Sequence, residues 1–267
     1  MKFALIQMPV TANKQENIHV AVEYIAQAAA AGARVAILPE MFCCPYSNSA
    51  FPDYAEEAGG SLYKTMAETA KLHHITVVAG SIPERDGEHL YNTSFVFDES
   101  GQEIARHRKL HLFDVHIAGG QHFKESDVLS PGSARTIFTV DGIKIGLCIC
   151  FDIRFPELFR AMALDGAQAV IVPAAFNMTT GPMHWELSFR MRAVDNQIFT
   201  LGVAPAQDKT GAYVSYANSI VCTPWGKQLV RAGFEAALLF ADIDFAEVSA
   251  VRQQLPLLSA RRPDTYI

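Results

Sequence analysis

Ile143 to Glu157, I-K-I-G-L-C-I-C-F-D-I-R-F-P-E, decides how the chain is read. From Ile143 to Ile149 it has the apolar, β-branched character of a buried strand, interrupted only by Lys144 and Gly146, and Pro156 then suits the first turn of a helix. Cys150 thus arrives at the end of a core strand. The strand holds its sulfur in place, and the turn after it leaves backbone N–H groups to face a reacting carbonyl. By residue type alone, a structural cysteine packed as a small hydrophobe explains the position equally well.

Working outward, Asp141-Gly142 predicts a hairpin between Thr136–Val140 and Ile143–Ile149. Downstream, the pattern predicts a helix over Pro156–Leu164, a buried strand over Ala169–Pro173, and a helix over His184–Asn196 with Leu187, Met191 and Val194 on one face. Strands at Ile198–Ala204, Ser219–Thr223 and Leu238–Asp242, a helix near Ala246–Leu255 and an extended tail complete this half. The first half has the same rhythm: strand Phe3–Met8, amphipathic helix Gln15–Ala31, strand Arg34–Leu38, helix Ser61–His74, strand Ile75–Ile82, then Tyr91–Phe97 and Glu103–Arg108 as an antiparallel pair. Two layers of strands with helices outside fit this α/β order. From Lys109 to Ser133 periodicity fails, yet Phe113, Val115, Ile117, Phe123 and Leu129 argue that this long loop is ordered and functional.

Composition narrows the partners. The chain has 267 residues, 50% of them hydrophobic, and no linker or low-complexity run, so a single domain spanning 1–267 is expected. A net charge of -6 gives no reason to expect nucleic acid or an anionic membrane, and a small-molecule ligand is expected instead. Phe3–Ile6 is too short for a signal-peptide core, and no apolar run reaches about 18 residues. Five cysteines without C-x-x-C spacing suit reduced thiols, so a cytoplasmic location is expected.

Three reactive residues follow predicted strands: Glu40 in L-P-E, Lys109 in R-K-L, and Cys150. Side chains at equivalent strand ends can converge on one pocket. There an ammonium would favour the reactive thiolate, while a carboxylate could take the thiol proton and later return one to a leaving amine. His107, His111, His116 and His122 raise a metal hydrolase as a rival, but their spacing matches no standard zinc pattern beyond the first pair.

With these blocks in view, the sequence resembles the nitrilase superfamily of carbon–nitrogen hydrolases over essentially its whole length. L-P-E-M-F, R-K-L-H-L, I-C-F-D-I-R-F-P-E, Ala175-Phe176-Asn177 and Thr180-Gly181-Pro182 carry the resemblance, in the family's order. It implies an α-β-β-α sandwich, homodimers or higher homo-oligomers, Cys150 as nucleophile, and no metal or organic cofactor. Arg108–Val115, Phe123–Ser126, Leu129–Gly132 and Arg192–Gln197 look most like the ω-amidase branch. That likeness implies Glu125 as a second active-site glutamate, and an oxyanion held by Lys109 and the Phe151 N–H. It also implies an amide substrate with a far carboxylate, met by Arg154 with Tyr46, Phe176 and Thr180, and water as second reactant. Phe151 departs from the tyrosine usual there, which leaves substrate preference open. An amidase for deaminated glutathione, an N-carbamoyl amidohydrolase and a non-catalytic binding protein on the same fold are the alternatives.

Overall fold

The computed structural model describes residues 1–118 and 122–266. Residues 119–121 of the long loop and Ile267 of the tail lie outside the described residues. In chain order the first sheet contains β1 (Lys2–Gln7), β2 (Val35–Ile37), β3 (Glu56–Glu57), β4 (Thr76–Val78), β5 (Ile82–Asp86), β6 (His89–Phe97) and β7 (Glu103–Arg108). A separate hairpin, β8 (Asp114–His116) and β9 (His122–Lys124), sits within the long loop. The second sheet runs in sequence order through β10 (Thr136–Val140), β11 (Ile143–Leu147), β12 (Ala169–Pro173), β13 (Phe199–Val203), β14 (Ile220–Cys222) and β15 (Gln228–Arg231). The last strand, β16 (Ala237–Asp242), returns to pair antiparallel with β1.

The strands are apolar on both faces because both faces are covered. Phe3, Leu5, Val35 and Ile37 point from the first sheet into a layer shared with Ile145, Leu147, Ala169, Ile171, Phe199 and Leu201 of the second. Their neighbours Ala4, Ile6, Ala36 and Leu38 point the other way, toward helices α1 (Lys14–Ala30) and α3 (Ser61–His73); a one-turn helix, α2 (Phe51–Tyr54), lies between these two in the chain. On the far side, Val170 and Val172 pack with α4 (Pro156–Leu164) and α5 (Gly181–Asn196). Three apolar layers between α, β, β and α give the expected sandwich, and α6 (Ala246–Gln254) closes on the inter-sheet layer through Val248. Gly146 is what lets α4 approach β11, since a Cβ there would lie 2.7 Å from the Met162 sulfur.

Two expectations need correction. The run Ile75–Ile82 is two strands, β4 and β5, both antiparallel to β6 and separated by a kink at Ala79–Ser81. Gly80 makes the kink with φ +47, and an added Cβ would lie 2.0 Å from the Pro39 carbonyl oxygen. On α5 the buried face is Trp185, Phe189 and Ala193, whereas Leu187 and Met191 are exposed. The larger aromatic residues, also four apart, win the core, and the aliphatic stripe is left outside.

Gly80 supports the backbone immediately before Glu40, so Gly80→Ala should destabilise by more than about 1 kcal/mol. It should also reduce activity per folded molecule. Urea unfolding followed beside the amide-hydrolysis rate checks both effects.

Candidate active site

Glu40 lies three residues beyond β2 and Lys109 one beyond β7, both from the first sheet, while Cys150 lies three beyond β11 of the second. The nucleophile and its two partners therefore meet across the sandwich, not along one sheet. Lys109 is fully buried, and its Nζ donates to Glu40 Oε1 at 2.9 Å and to Glu125 at 2.9–3.0 Å. Glu125, the first residue of a single 3₁₀ turn after β9, also accepts the Phe113 N–H at 2.7 Å and the Tyr46 hydroxyl at 2.6 Å. That gives the long loop its order: a hairpin and a turn deliver one buried carboxylate.

Glu40 uses its two oxygens differently. Oε1 accepts from Asn92 Nδ2 at 2.8 Å and Lys109 Nζ at 2.9 Å, with the Tyr46 hydroxyl oxygen 3.2 Å away. Oε2 is buried without a well-aligned hydrogen-bond partner, and the Cys150 thiol interacts with this carboxylate. Burial raises the Glu40 pKa, Lys109 opposes that rise, and the Glu125 charge adds to it. Burial would also lower the pKa of Lys109, but Glu125 and Glu40 carry it above its ordinary value, so the ammonium stays charged. For Cys150, burial and then the Glu40 charge push the thiol well up against the pull of Lys109. Both directions favour a neutral thiol beside a carboxylate made more basic by its surroundings, the arrangement in which a carboxylate takes the thiol proton.

Cys150 adopts φ +45, a left-handed conformation that costs a non-glycine residue about 1–3 kcal/mol. The 3₁₀ turn that follows, Cys150–Arg154, is held by Asp152. Its carboxylate accepts from the Ile149 N–H at 3.0 Å, the His111 N–H at 2.9 Å, His111 Nδ1 at 2.7 Å and His107 Nε2 at 3.0 Å. Burial acts to raise the Asp152 pKa, but hydrogen bonds from His107, His111 and Ile149 overcome it and hold the carboxyl far below the usual range. His107 and His111 are thus both spent on one carboxylate. Among the described residues no group of three or more His, Cys, Asp or Glu is placed to hold a metal ion.

The proposed substrate contacts separate into three groups. Tyr46 is within the charged cluster. Arg154 lies over the rings of Phe176 at 4.9 Å and Phe151 at 5.7 Å and donates to His184 Nδ1 at 3.1 Å, and burial lowers its pKa. Among the described residues Arg154 pairs with no carboxylate, neither Asp152, which the histidines hold, nor Glu157. Thr180 is not brought to the cluster by any hydrogen bond; its N–H and hydroxyl bond Asn177 Oδ1 at the start of α5.

Sequence reading missed Asp152 as an anchor, although it stands inside the best-recognised block. It also missed Tyr213, which stacks on Tyr46 with ring centroids 4.6 Å apart and donates to the Ala175 carbonyl oxygen. Nothing local marks that tyrosine, which lies in a polar loop. Tyr213, Tyr46 and Glu40 form part of the wall of a cleft of about 350 Å³ with Ala175 and Pro205.

A thiol, a raised carboxylate and a buried ammonium at this spacing can add sulfur to a carbonyl, stabilise the oxyanion and shuttle a proton. The family model for carbon–nitrogen hydrolases matches residues 2–253. The chain belongs to the carbon–nitrogen hydrolase family. This carbon–nitrogen hydrolase is 44% identical over 265 residues to omega-amidase NIT2 of Bos taurus, covering 99% of the chain and 96% of that relative. It shares 35% identity and a TM-score of 0.90 with the crystal structure of Saccharomyces cerevisiae Nit3, a nitrilase-superfamily member, covering 100% and 97% of the two chains. An amidase of Nesterenkonia sp. AN1 matches at 26% identity and TM-score 0.79, with 99% and 95% covered. In that mutant amidase the active-site cysteine carries the acetamide moiety of fluoroacetamide.

Asp152→Ala leaves His107 buried without its partner and the turn without its anchor, and should cost this hydrolase about 3–5 kcal/mol in chemical denaturation. Because the folded pKa lies below the unfolded value of about 3.9, the carboxylate's contribution is complete above roughly pH 5 and is lost as pH falls. Wild-type stability should therefore fall more steeply below pH 5 than that of the variant.

Proposed function

We propose that this carbon–nitrogen hydrolase is an ω-amidase. It hydrolyses the terminal amide of short dicarboxylate monoamides, such as 2-oxoglutaramate and 2-oxosuccinamate, to the 2-oxo dicarboxylate and ammonia. The observation that carries the substrate reading is Arg154: a half-buried guanidinium near the nucleophile, framed by two aromatic rings and, among the described residues, without a carboxylate of its own. Withdrawing such a charge from water is unfavourable, and a substrate carboxylate would offset it through paired hydrogen bonds. The likeness to proteins named omega-amidases supports the same reading.

In this reading Glu40 takes the Cys150 proton as sulfur bonds to the amide carbon. Lys109 and the Phe151 N–H, which lacks a partner within the first turn of its helix, stabilise the oxyanion. The C–N bond then breaks, and the proton on Glu40 goes to the departing nitrogen. Water attacks the thioester, gives a proton to Glu40 and releases the acid, and the proton returns to sulfur. Glu125 orients Lys109 and transfers no proton. Tyr46 supports both carboxylates, its hydroxyl proton directed to the nearer Glu125 oxygen. Phe176 shapes the Arg154 side of the site, and Thr180 contributes only through the start of α5.

The enzyme acts as a homodimer in this reading. Met183, Leu187 and Met191, four residues apart on α5, form with Trp225 an apolar stripe that is 48–75% exposed, and a second copy would cover it.

Ammonia release should be rapid with 2-oxoglutaramate and 2-oxosuccinamate and slow with deaminated glutathione and N-carbamoyl amino acids. Cys150→Ala should lower it by at least about a thousandfold. Arg154→Ala should cost roughly tenfold to a hundredfold in kcat/KM for the two oxo-acid amides, with no such loss for an aliphatic amide lacking the far carboxylate. Turnover confined to deaminated glutathione or N-carbamoyl compounds would move the specificity and keep the chemistry. In sedimentation, Leu187→Glu should convert a dimer into monomer.

A further inference from the structure

Asn92 lies on β6 and is fully buried, and nothing in its sequence context marks it as functional. Its Nδ2 donates to Glu40 Oε1 at 2.8 Å, beside the Lys109 bond to the same oxygen at 2.9 Å. Its own Oδ1 is buried with no hydrogen-bond partner. Buried amides are normally satisfied at both ends, and an orphaned acceptor is a cost to folding. Apart from that bond, the side chain of Asn92 has no hydrogen bond among the described residues, so burying it serves Glu40 and no wider network. The backbone adds a second link: the Asn92 carbonyl accepts the Lys109 N–H at 2.8 Å. One residue thus touches the base through its side chain and the ammonium-bearing residue through its main chain.

We infer that Asn92 is a positioning residue of the reaction: it pins Glu40 by Oε1 and so presents Oε2, the oxygen left without a partner, to the thiol and the leaving nitrogen. Two donors on one oxygen, Asn92 and Lys109, orient the carboxylate, and proton transfer depends on that orientation because the two oxygens have unlike neighbours. A neutral donor is the right choice for this position. Lys109 already supplies the positive charge, and a second cation would stabilise the carboxylate so far that it could no longer take the thiol proton. The charges that act on Glu40 are those of Lys109 and Glu125, and the other titratable groups facing it are the Cys150 and Cys44 thiols and the Tyr46 and Tyr213 hydroxyls. Losing the Asn92 donor among these raises the Glu40 pKa, because a hydrogen bond to the ionised form is lost.

This inference rests on Glu40 being the proton carrier. The test therefore compares Asn92→Ala, the near-isosteric Asn92→Asp and Glu40→Gln, with rates normalised to folded protein from the thermal-unfolding amplitude. Asn92→Ala should lower kcat about tenfold to a hundredfold, leave KM near the wild-type value, and move the acid limb of kcat/KM to higher pH. Asn92→Asp preserves shape but places a carboxyl against Glu40, and should move that limb further in the same direction. Wild-type kcat and an unmoved acid limb in the folded fraction of both variants, while Glu40→Gln is inactive, would overturn the role of Asn92 alone. An active Glu40→Gln would overturn the reading of Glu40 on which it depends.

Discussion

A lysine ammonium held between two glutamates, all three out of water, is the constraint around which the rest is arranged. Charges in a dry interior attract strongly, but removing them from water costs as much or more, so such a triad adds little net stability. Its value is chemical. Two carboxylates sharing one cation leave an excess of negative charge, and that excess, together with burial, keeps Glu40 basic enough to accept a thiol proton. The three side chains come from the ends of β2 and β7, two separate strands of the first sheet, and from a folded loop, so the cluster exists only when all three segments are in place.

The nucleophile faces a separate problem, met by a separate device. Cys150 needs a left-handed backbone so that the chain can turn from strand to 3₁₀ helix with the sulfur facing the cluster. Asp152, two residues on, offsets that strain by gathering the N–H groups of Ile149 and His111 and the rings of His107 and His111 on one carboxylate. Two of the four histidines that gave the sequence a metal-like look, His107 and His111, therefore belong to the scaffold of the cysteine turn, while His116 and His122 face each other across the β8–β9 hairpin. One buried aspartate ties the end of the second sheet to residues at the end of β7 in the first.

Most of the strand order, the α-β-β-α layering and the meeting of Glu40, Lys109 and Cys150 could be read before any coordinates, for a simple reason, whereas Glu125 in its loop came only through the family resemblance. Strands buried on both faces leave long apolar runs, and reactive residues at their ends interrupt those runs. What could not be read depends on which of two equivalent patterns packs better. On α5, the Leu187–Met191 stripe and the Trp185–Phe189–Ala193 stripe have the same spacing, and only the volume available against β13 and β14 selects the aromatic one. Between Ile75 and Ile82 the composition is that of one strand, and the interruption at Gly80 arises from a carbonyl contributed by another strand's end. Asn92 and Tyr213 are invisible for a related reason: each matters through one partner distant in sequence, and neither disturbs its local pattern.

Because base and ammonium are anchored to one sheet and the thiol to the other, the layer of side chains between the sheets sets the working distance of the reaction. Leu5, Ile37 and Val78 on one side, and Leu147, Ile171 and Leu201 on the other, act as a spacer. Interiors this dense absorb an added methylene by shifting backbone. Sequence drift in that layer is therefore restricted to exchanges that conserve volume, even at positions remote from substrate. The helical flanks, which set no such distance, are the parts of this enzyme most free to diverge.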